Sequence, residues 1–193
     1  MDSFTVAILG AYGVGKTALA LRFALNSHNG ELQLRPIYRR VQPTVREYRR
    51  KVMVDGRRCE VHIIQIWGDG KLDGRAGLCI ERAHGFLLVY SISSRATFNQ
   101  VEGFRQMVVR AKGSIPPMIV VGNKLDEERE ITVEEAGELA ARFGCPLAET
   151  STLTAENVNR VFVDLARMLR NTAGGPEPVD RKNKHKGTSC VIV

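Results

Sequence analysis

The sequence predicts an α/β protein in which a mostly parallel sheet is flanked by helices. Buried apolar runs alternate along the chain with segments whose apolar residues recur at helical spacing, the pattern of successive strand–helix units. A glycine-rich loop joins the first strand to the first helix, and a tight turn joins only one pair of strands. We therefore expect a ligand at the carboxyl ends of the strands.

The first strand is predicted at residues 4–9 and the first helix at residues 17–25. The second and third strands are predicted at residues 45–54 and 58–66. Between them lies Asp55-Gly56, a dipeptide that favours a two-residue hairpin turn. These two strands should therefore pair antiparallel.

The later elements alternate between strand and helix. Strands are predicted at residues 86–90 and 118–121 and near Leu147. Thr132 and Glu135 form a capping box before one of the helices. The apolar positions of the three helices are Val101, Phe104, Val108 and Ala111, then Ala136, Leu139, Ala140 and Phe143, then Val158, Val161, Phe162, Leu165, Met168 and Leu169. Residues 1–171 should thus form one domain with six strands, one of them antiparallel.

Composition narrows the class of protein. The chain has 193 residues, 44% of them hydrophobic, which is enough for one buried core. No apolar run approaches the roughly 20 residues that cross a bilayer, and no signal-peptide pattern begins the chain. We therefore expect a reducing compartment, in which Cys59, Cys79 and Cys145 are ordinary buried or half-buried thiols.

The glycine-rich loop is Gly10-Ala11-Tyr12-Gly13-Val14-Gly15-Lys16-Thr17, a phosphate-binding pattern in its strand–loop–helix setting. Its glycines let successive backbone N–H groups face a phosphate, Lys16 adds a positive charge, and the Thr17 hydroxyl can bind Mg²⁺. The alternative is a glycine turn with a surface lysine, which the setting disfavours. We assign nucleotide contact to Gly10, Tyr12, Gly13, Val14, Gly15, Lys16, Thr17 and Ala18.

A second motif, Gly122-Asn123-Lys124-Leu125-Asp126, follows the strand at residues 118–121. The Asp126 carboxylate can accept hydrogen bonds from guanine N1–H and the 2-amino group, a donor pair that adenine lacks. The stem of Lys124 can lie along the base. These properties favour GTP over ATP, and they argue against the alternative of a small-molecule kinase with the same phosphate loop.

With both motifs in order, the chain resembles the Ras-like small GTPases over residues 4–171 and at its C-terminus. The resemblance implies a P-loop NTPase G domain that binds GTP, GDP and Mg²⁺. It implies that Thr44 is the switch I threonine, which binds Mg²⁺ and senses the γ-phosphate, and that Gly70 is the switch II glycine. Exchange factors and effector proteins are the implied partners of an expected monomer.

The resemblance also assigns the base-binding residues. Asn123, Lys124 and Asp126 match the base-specificity motif, while Ser151-Thr152-Leu153 matches the family's Ser-Ala-Lys element with leucine in place of lysine. A backbone N–H near Thr152 could contact the guanine oxygen. Tyr38 is a candidate to stack on the base.

Three departures from the family pattern point to weak hydrolysis. Trp67 stands where the family has the aspartate that holds a water on Mg²⁺. Lys71 stands at the position of the glutamine that orients the attacking water, and lysine cannot accept a hydrogen bond. Tyr12 stands where the family usually has a glycine, and its ring would obstruct the space that the arginine finger of an activating protein needs. We expect a GTP-binding switch with slow intrinsic hydrolysis.

Two other interpretations stay open. Asp69 could replace the missing magnesium partner, which would give an ordinary slow GTPase. Alternatively, loss of the carboxylate at position 67 could abolish nucleotide binding and leave a nucleotide-independent interaction module. That module would not explain Lys16, Thr17, Thr44 and Asp126.

The segment at residues 35–58 is strongly basic. In Ras-like proteins this region includes the effector surface, which is often acidic, so we expect a partner with an acidic face. A solvated strand edge guarded by charge is the alternative. No nucleic acid is expected, because few aromatic residues accompany the charges. The basic residues are Arg35, Arg39, Arg40, Arg46, Arg49, Arg50, Lys51, Arg57 and Arg58.

Residues 172–193 are predicted to be a flexible basic tail. Its last residues, Cys190-Val191-Ile192-Val193, form a prenylation box, although Val193 does not choose between farnesyl and geranylgeranyl. One lipid chain binds membranes weakly, so a basic cluster would add attraction to anionic lipid. We expect modification by a prenyltransferase and attachment to the cytoplasmic face of the plasma membrane. The cluster is Arg181, Lys182, Lys184 and Lys186.

Overall fold

The structure, a computed structural model, describes residues 2–25, 45–66 and 74–172. Within them is a six-stranded sheet with the order β2-β3-β1-β4-β5-β6. The β2–β3 pair is antiparallel and all the other pairs are parallel, which confirms the predicted fold class. The strands are β1 Asp2–Gly10, β2 Val45–Val54, β3 Arg57–Ile66, β4 Gly85–Ser91, β5 Met118–Asn123 and β6 Leu147–Thr150.

Helices connect most of the strands. Two of them, α2 and α3, were not predicted from the sequence. The helices of the described residues are α1 Lys16–Leu25, α2 Gly74–Arg82, α3 Arg95–Phe98, α4 Val101–Lys112, α5 Val133–Phe143 and α6 Val158–Asn171.

Both faces of the sheet are covered, as expected for strands that alternate their side chains between faces. Val6 and Ile8 of β1 join the core formed with α1 and α6. Ala7 and Leu9 join the core formed with α2, α4 and α5. Thus β1 lies inside the sheet and places the loop that follows it between the two layers of helices.

The hairpin between β2 and β3 turns at Asp55 and Gly56, whose φ angles are 49° and 75°. Left-handed values at both central residues are those of the predicted tight turn. The Arg167 guanidinium of α6 donates to the Asp55 carboxylate at 2.9 Å. The next turn of α6 holds the start of β1, because Arg170 Nε donates to Asp2 Oδ2 at 3.0 Å.

The cysteines of the described residues are free thiols, with Cys59 buried and Cys79 and Cys145 half-buried, as predicted. Over the same residues, no cluster of histidine, cysteine and carboxylate side chains has the make-up of a metal site. None of the described helices has the length and apolar character needed to span a bilayer.

Candidate functional site

Buried polar side chains are concentrated at one edge of the sheet. Each lies at or next to the carboxyl end of a strand, or follows the loop after β1. An edge that buries this many polar groups is the expected ligand-binding edge of a parallel sheet. In the described part of the chain, these residues are Lys16, Gln65, Ser91, Asn123, Thr150 and Ser151.

The loop between β1 and α1 depends on its glycines for two different reasons. A Cβ at Gly10 would lie 2.1 Å from the Val89 carbonyl oxygen, and one at Gly15 would lie 2.3 Å from Asn123 Nδ2. At Gly13, with φ of 81°, a Cβ would meet nothing within 4 Å. The first two glycines therefore allow close packing, while the backbone at Gly13 borders open space that a ligand can approach.

Lys16 is a buried cation whose hydrogen-bond partners among the described residues are carbonyl groups. Its Nζ donates to the Gly10 oxygen at 2.7 Å and to the Ala11 oxygen at 2.6 Å. The side chain is 7% exposed, and desolvation lowers the pKa of Lys16 to about 8. No carboxylate of the described residues forms an ion pair with it. Such a cation is suited to an anionic ligand such as a phosphate.

Thr17, the second residue of α1, has a buried partner that sequence analysis missed. Gln65 Nε2 of β3 donates to Thr17 Oγ1 at 2.8 Å, and Gln65 is 1% exposed. The pattern that could have revealed it is one amide inside the apolar run at residues 63–66, next to the carboxyl end of a predicted strand. Thr44, the other predicted magnesium ligand, lies outside the described residues.

Asn123 connects the loop to two strands. Its Nδ2 donates to the Val14 carbonyl at 2.8 Å, and its Oδ1 accepts from Thr150 Oγ1 at 3.0 Å. All three residues are fully buried. One side chain at the end of β5 thus links the glycine-rich loop between β1 and α1 to the end of β6.

The segment after β5 presents its charged groups near the same edge. Asp126 is exposed, and one of its carboxylate oxygens accepts a hydrogen bond from the Ser151 hydroxyl. Lys124 has a left-handed φ of 69°, and its Nζ lies 3.2 Å from Glu127 Oε1. The Leu125 N–H donates to the Thr150 oxygen at 3.0 Å. The Asp126 carboxylate is therefore fixed by the turn after β6.

The remaining predicted residues differ in exposure. Tyr12 is 88% exposed and Leu153 is 74% exposed, while Thr152 is half-buried. Ala18 lies on the exposed side of α1. Several predictions fall outside the described residues, namely those on Tyr38, Thr44, Trp67, Asp69, Gly70, Lys71, the tail at residues 173–193 and Cys190.

The arrangement fits a nucleotide with a divalent cation. It supplies a buried cation beside a glycine loop, a hydroxyl at the start of a helix, and a carboxylate that can accept from guanine. Asn123 connects the glycine loop, through Val14, to the segment that carries the Asp126 carboxylate. In comparison with known proteins, a model of the Ras family matches residues 5–171.

Proposed function

The chain belongs to the Ras family of small GTP-binding proteins, and we propose that it is a guanine-nucleotide switch whose GTP-bound state is long-lived. Members of this family bind GTP or GDP with Mg²⁺ and are in general GTPases. The main support for nucleotide binding is Asn123, which bonds to Val14 at 2.8 Å and so ties the phosphate loop to the base-selecting segment. In this proposal Lys16 and the loop N–H groups hold the phosphates, Thr17 binds Mg²⁺, and Asp126 reads guanine.

Hydrolysis transfers the γ-phosphoryl group to water, and bound Mg²⁺ neutralises charge on the phosphate oxygens. The water must be held in line for attack. Lys71 at the usual glutamine position has donors only, and Trp67 removes a carboxylate from the magnesium side. Both substitutions support slow hydrolysis in this chain.

Tyr12 supports a further part of the proposal, a poor response to activating proteins. Its ring is 88% exposed beside the open backbone of Gly13. An arginine finger contributes about 10³–10⁵-fold to hydrolysis when it reaches the phosphates. A phenol ring at this place would obstruct that approach.

The first experiment incubates purified protein and excess Mg²⁺ with radiolabelled GTP or ATP, and follows the bound label and the bound GDP/GTP ratio for hours. We expect retained GTP, no retained ATP and slow conversion to GDP. Lys71→Gln should speed conversion, whereas Arg142→Gln, an exposed change on α5, should not. Rapid conversion in the native protein would mean that Asp69 or another group compensates. Absence of retained nucleotide would favour the nucleotide-independent interaction module.

The effect of Tyr12 is tested separately with a Ras-type activating protein. Tyr12→Gly should raise the stimulated rate by at least about tenfold, a small part of what an arginine finger contributes. The unstimulated rate should change much less. An equal rise in both rates would contradict obstruction by the ring.

We also infer an acidic partner for the face of β2, the edge strand of the sheet. Arg49 and Lys51 are exposed on it, and Arg57 and Arg58 are exposed at the start of β3. Arg50 differs, because its guanidinium donates to the Phe23 oxygen at 2.6 Å and lies 4.7 Å from the Phe23 ring. Arg50 therefore belongs to the contact between β2 and α1, and the docking charge rests on the other residues.

Binding of a labelled Ras-type effector domain to the GTP-loaded protein tests this charge argument. We expect weak binding that strengthens when Arg49→Glu and Lys51→Glu are combined, since complementary charge favours association. Arg142→Glu is the matched charge reversal on another face and should have no effect. Tight binding by the native protein would contradict the proposal.

For location, we propose prenylation at Cys190 with help from the basic cluster upstream. Each basic residue near an anionic membrane surface contributes about 1 kcal/mol to membrane binding. A single lipid chain binds membranes weakly and needs this second contribution. Cys190→Ser should move the protein from the membrane fraction to the supernatant. Replacing Lys182, Lys184 and Lys186 by glutamine should weaken attachment and reduce its dependence on anionic lipid. An unchanged membrane fraction for Cys190→Ser would refute anchoring.

A further inference from the structure

Gln65 occupies an unusual place for an uncharged amide. It lies one residue before the end of β3, paired with Ile8 of β1 and Arg46 of β2. Only 1% of it is exposed. Burying an amide costs free energy unless its polar atoms are used, so such a residue calls for a specific partner.

That partner is the hydroxyl of Thr17. Gln65 Nε2 donates to Thr17 Oγ1 at 2.8 Å. Gln65 Oε1 is also buried, and within residues 2–25, 45–66 and 74–172 it has no hydrogen-bond partner. The amide can therefore present either its donor or its acceptor end to Thr17 without losing another described bond. An amide side chain carries both a donor group and an acceptor group, so it can play either role toward a hydroxyl.

The two roles suit the two demands on a hydroxyl that binds a cation. Such a hydroxyl gives an oxygen lone pair to the cation and needs an acceptor for its proton, while without the cation it needs a donor. Groups that orient a metal ligand in this way affect metal affinity without touching the metal. In the family pattern a carboxylate stands two positions after Gln65, where this chain has Trp67.

We propose that Gln65 is the positioning residue that holds the Thr17 hydroxyl as a Mg²⁺ ligand in a site without the usual carboxylate. This inference rests on the proposed nucleotide binding. It assigns a task to a residue outside the phosphate loop and the base-selecting segment. The native amide carries no charge. A carboxylate at position 65 should therefore make the site, through the Thr17 hydroxyl, bind Mg²⁺ more tightly than it does with the native residue.

The test measures dissociation of a fluorescent GDP analogue over a range of Mg²⁺ concentrations, with EDTA as the metal-free limit. Gln65→Met keeps much of the side-chain volume and removes both hydrogen-bonding atoms. Gln65→Glu keeps an oxygen acceptor and adds negative charge. Thr17→Ala, alone and combined with Gln65→Met, completes a double-mutant cycle. The control is Tyr90→Phe, which removes a buried hydroxyl that has no partner in the described residues.

In Gln65→Met we expect the Mg²⁺ concentration that half-maximally slows dissociation to rise roughly tenfold, the usual effect of losing an orienting group. The rate in EDTA should stay as in the native protein. Gln65→Met should add no further shift to Thr17→Ala, and Gln65→Glu should need less Mg²⁺ than the native protein. Tyr90→Phe should match the native protein throughout.

Three results would overturn the inference. The first is an unchanged Mg²⁺ requirement in Gln65→Met. The second is a dissociation rate in Gln65→Met that rises equally with Mg²⁺ and with EDTA, which would indicate a packing role. The third is a change in the Mg²⁺ requirement that Gln65→Met still causes in the Thr17→Ala background. If Gln65→Met does not fold, the decision passes to Gln65→Glu, whose Mg²⁺ requirement must fall below the native value. A native protein that retains no GDP even with Mg²⁺ would refute the proposed function instead.

Discussion

Asn123 uses both ends of its amide in buried hydrogen bonds, one to Val14 of the phosphate loop and one from Thr150 at the end of β6. Its removal would leave a carbonyl and a hydroxyl buried without partners. A single residue thus contributes both to the stability of the domain and to the shape of the site.

Asn123→Ala should lower the free energy of unfolding by about 2–6 kcal/mol, since it leaves two buried groups unpaired and each costs about 1–3 kcal/mol. Thr150→Val, which removes one of the two bonds and leaves Asn123 Oδ1 unpaired, should cost about half as much. Urea unfolding of both variants measures these differences. A loss below about 0.5 kcal/mol for Asn123→Ala, the range of ordinary surface changes, would contradict the role given to its amide.

The glycines of the loop offer a second comparison. Gly15→Ala should be severely destabilising, because its Cβ would lie 2.3 Å from Asn123 Nδ2 at a φ of 94°. Gly13→Ala has open space and should cost only the left-handed backbone strain of about 1–2 kcal/mol. Gly137→Ala, inside α5 with nothing within 4 Å, should instead stabilise the domain by about 0.5–1 kcal/mol. Equal costs for Gly15→Ala and Gly13→Ala would refute this account.

At this scale the sequence singles out residues that belong to spaced motifs and misses a contact that arises only when the chain folds. Lys16, Thr17, Asn123 and Asp126 could be chosen because their chemistry and order match one ligand. Gln65 is 48 residues from Thr17, and only the pairing of β3 with β1 brings the two side chains to 2.8 Å. The amide inside the apolar run marks Gln65 as unusual, but no local pattern specifies Thr17 as its partner.

Among the elements, α5 shows how a short motif fixes the start of a helix. The Thr132 hydroxyl accepts from the Glu135 N–H at 3.2 Å, and the Glu135 carboxylate accepts from the Thr132 N–H at 3.1 Å. The predicted capping box is therefore formed. Arg95 adds a two-pronged contact to the same carboxylate, at 2.6 and 3.0 Å.

These contacts make the stability of α5 depend on pH, with less stability at acidic pH. The Arg95 hydrogen bond, followed by that of the Thr132 N–H, lowers the pKa of Glu135 to about 2. Because the folded-state pKa is lower than the ordinary value, the stabilisation is complete above about pH 4.5 and is lost as the pH falls towards 2. Glu135→Gln should therefore flatten the dependence of the unfolding midpoint on pH between those values.

Circular dichroism melts over this pH range provide the measurement. Glu138→Gln makes the same charge change elsewhere on α5 and should keep the native slope. If Glu135→Gln also kept it, the contact with Arg95 would not contribute in solution.

The elements missed from the sequence have weak local patterns. Helix α2 contains Gly74 and Gly77, which lower helix propensity, and its Leu78 is 60% exposed. Helix α3 has four residues, too few to show a helical repeat. Both helices are fixed by packing against the sheet or by a capping contact, such as that of the Ser94 hydroxyl with the Thr97 N–H at 3.4 Å.

For the whole molecule, the fold class was predictable because strand period, helix period and turn residues agree along the chain. The rate of GTP hydrolysis was not predictable in the same way, because it depends on the placement of Trp67, Asp69 and Lys71 around a bound nucleotide. Their residue types show which groups are missing, but their types do not specify the geometry of a water molecule.

The domain should not need the tail for its stability. Helix α6 buries its apolar residues against the sheet and α1, including Phe162, whose ring stacks 4.1 Å from that of Phe23. Thr172 closes the helix by donating from its hydroxyl to the Leu169 oxygen at 2.8 Å. These contacts form within residues 2–172.

A chain ending at Thr172 should therefore retain GDP as the full chain does, and its free energy of unfolding should change by less than about 0.5 kcal/mol. It should also lose attachment to lipid vesicles. Thermal unfolding, nucleotide retention and vesicle sedimentation of the two chains test this prediction. A clearly lower unfolding midpoint for the shorter chain would show that residues 173–193 stabilise the domain.

The 3.0 Å contact between Arg170 and Asp2 has a practical consequence. It brings the first and last described elements together at the amino ends of the strands, while Lys16 and Asn123 lie at the carboxyl-end edge of the sheet. The domain can therefore be inserted into a surface loop of a carrier protein with its two junctions close together. In such a fusion nucleotide could still enter and leave, and the carrier could report on its occupancy.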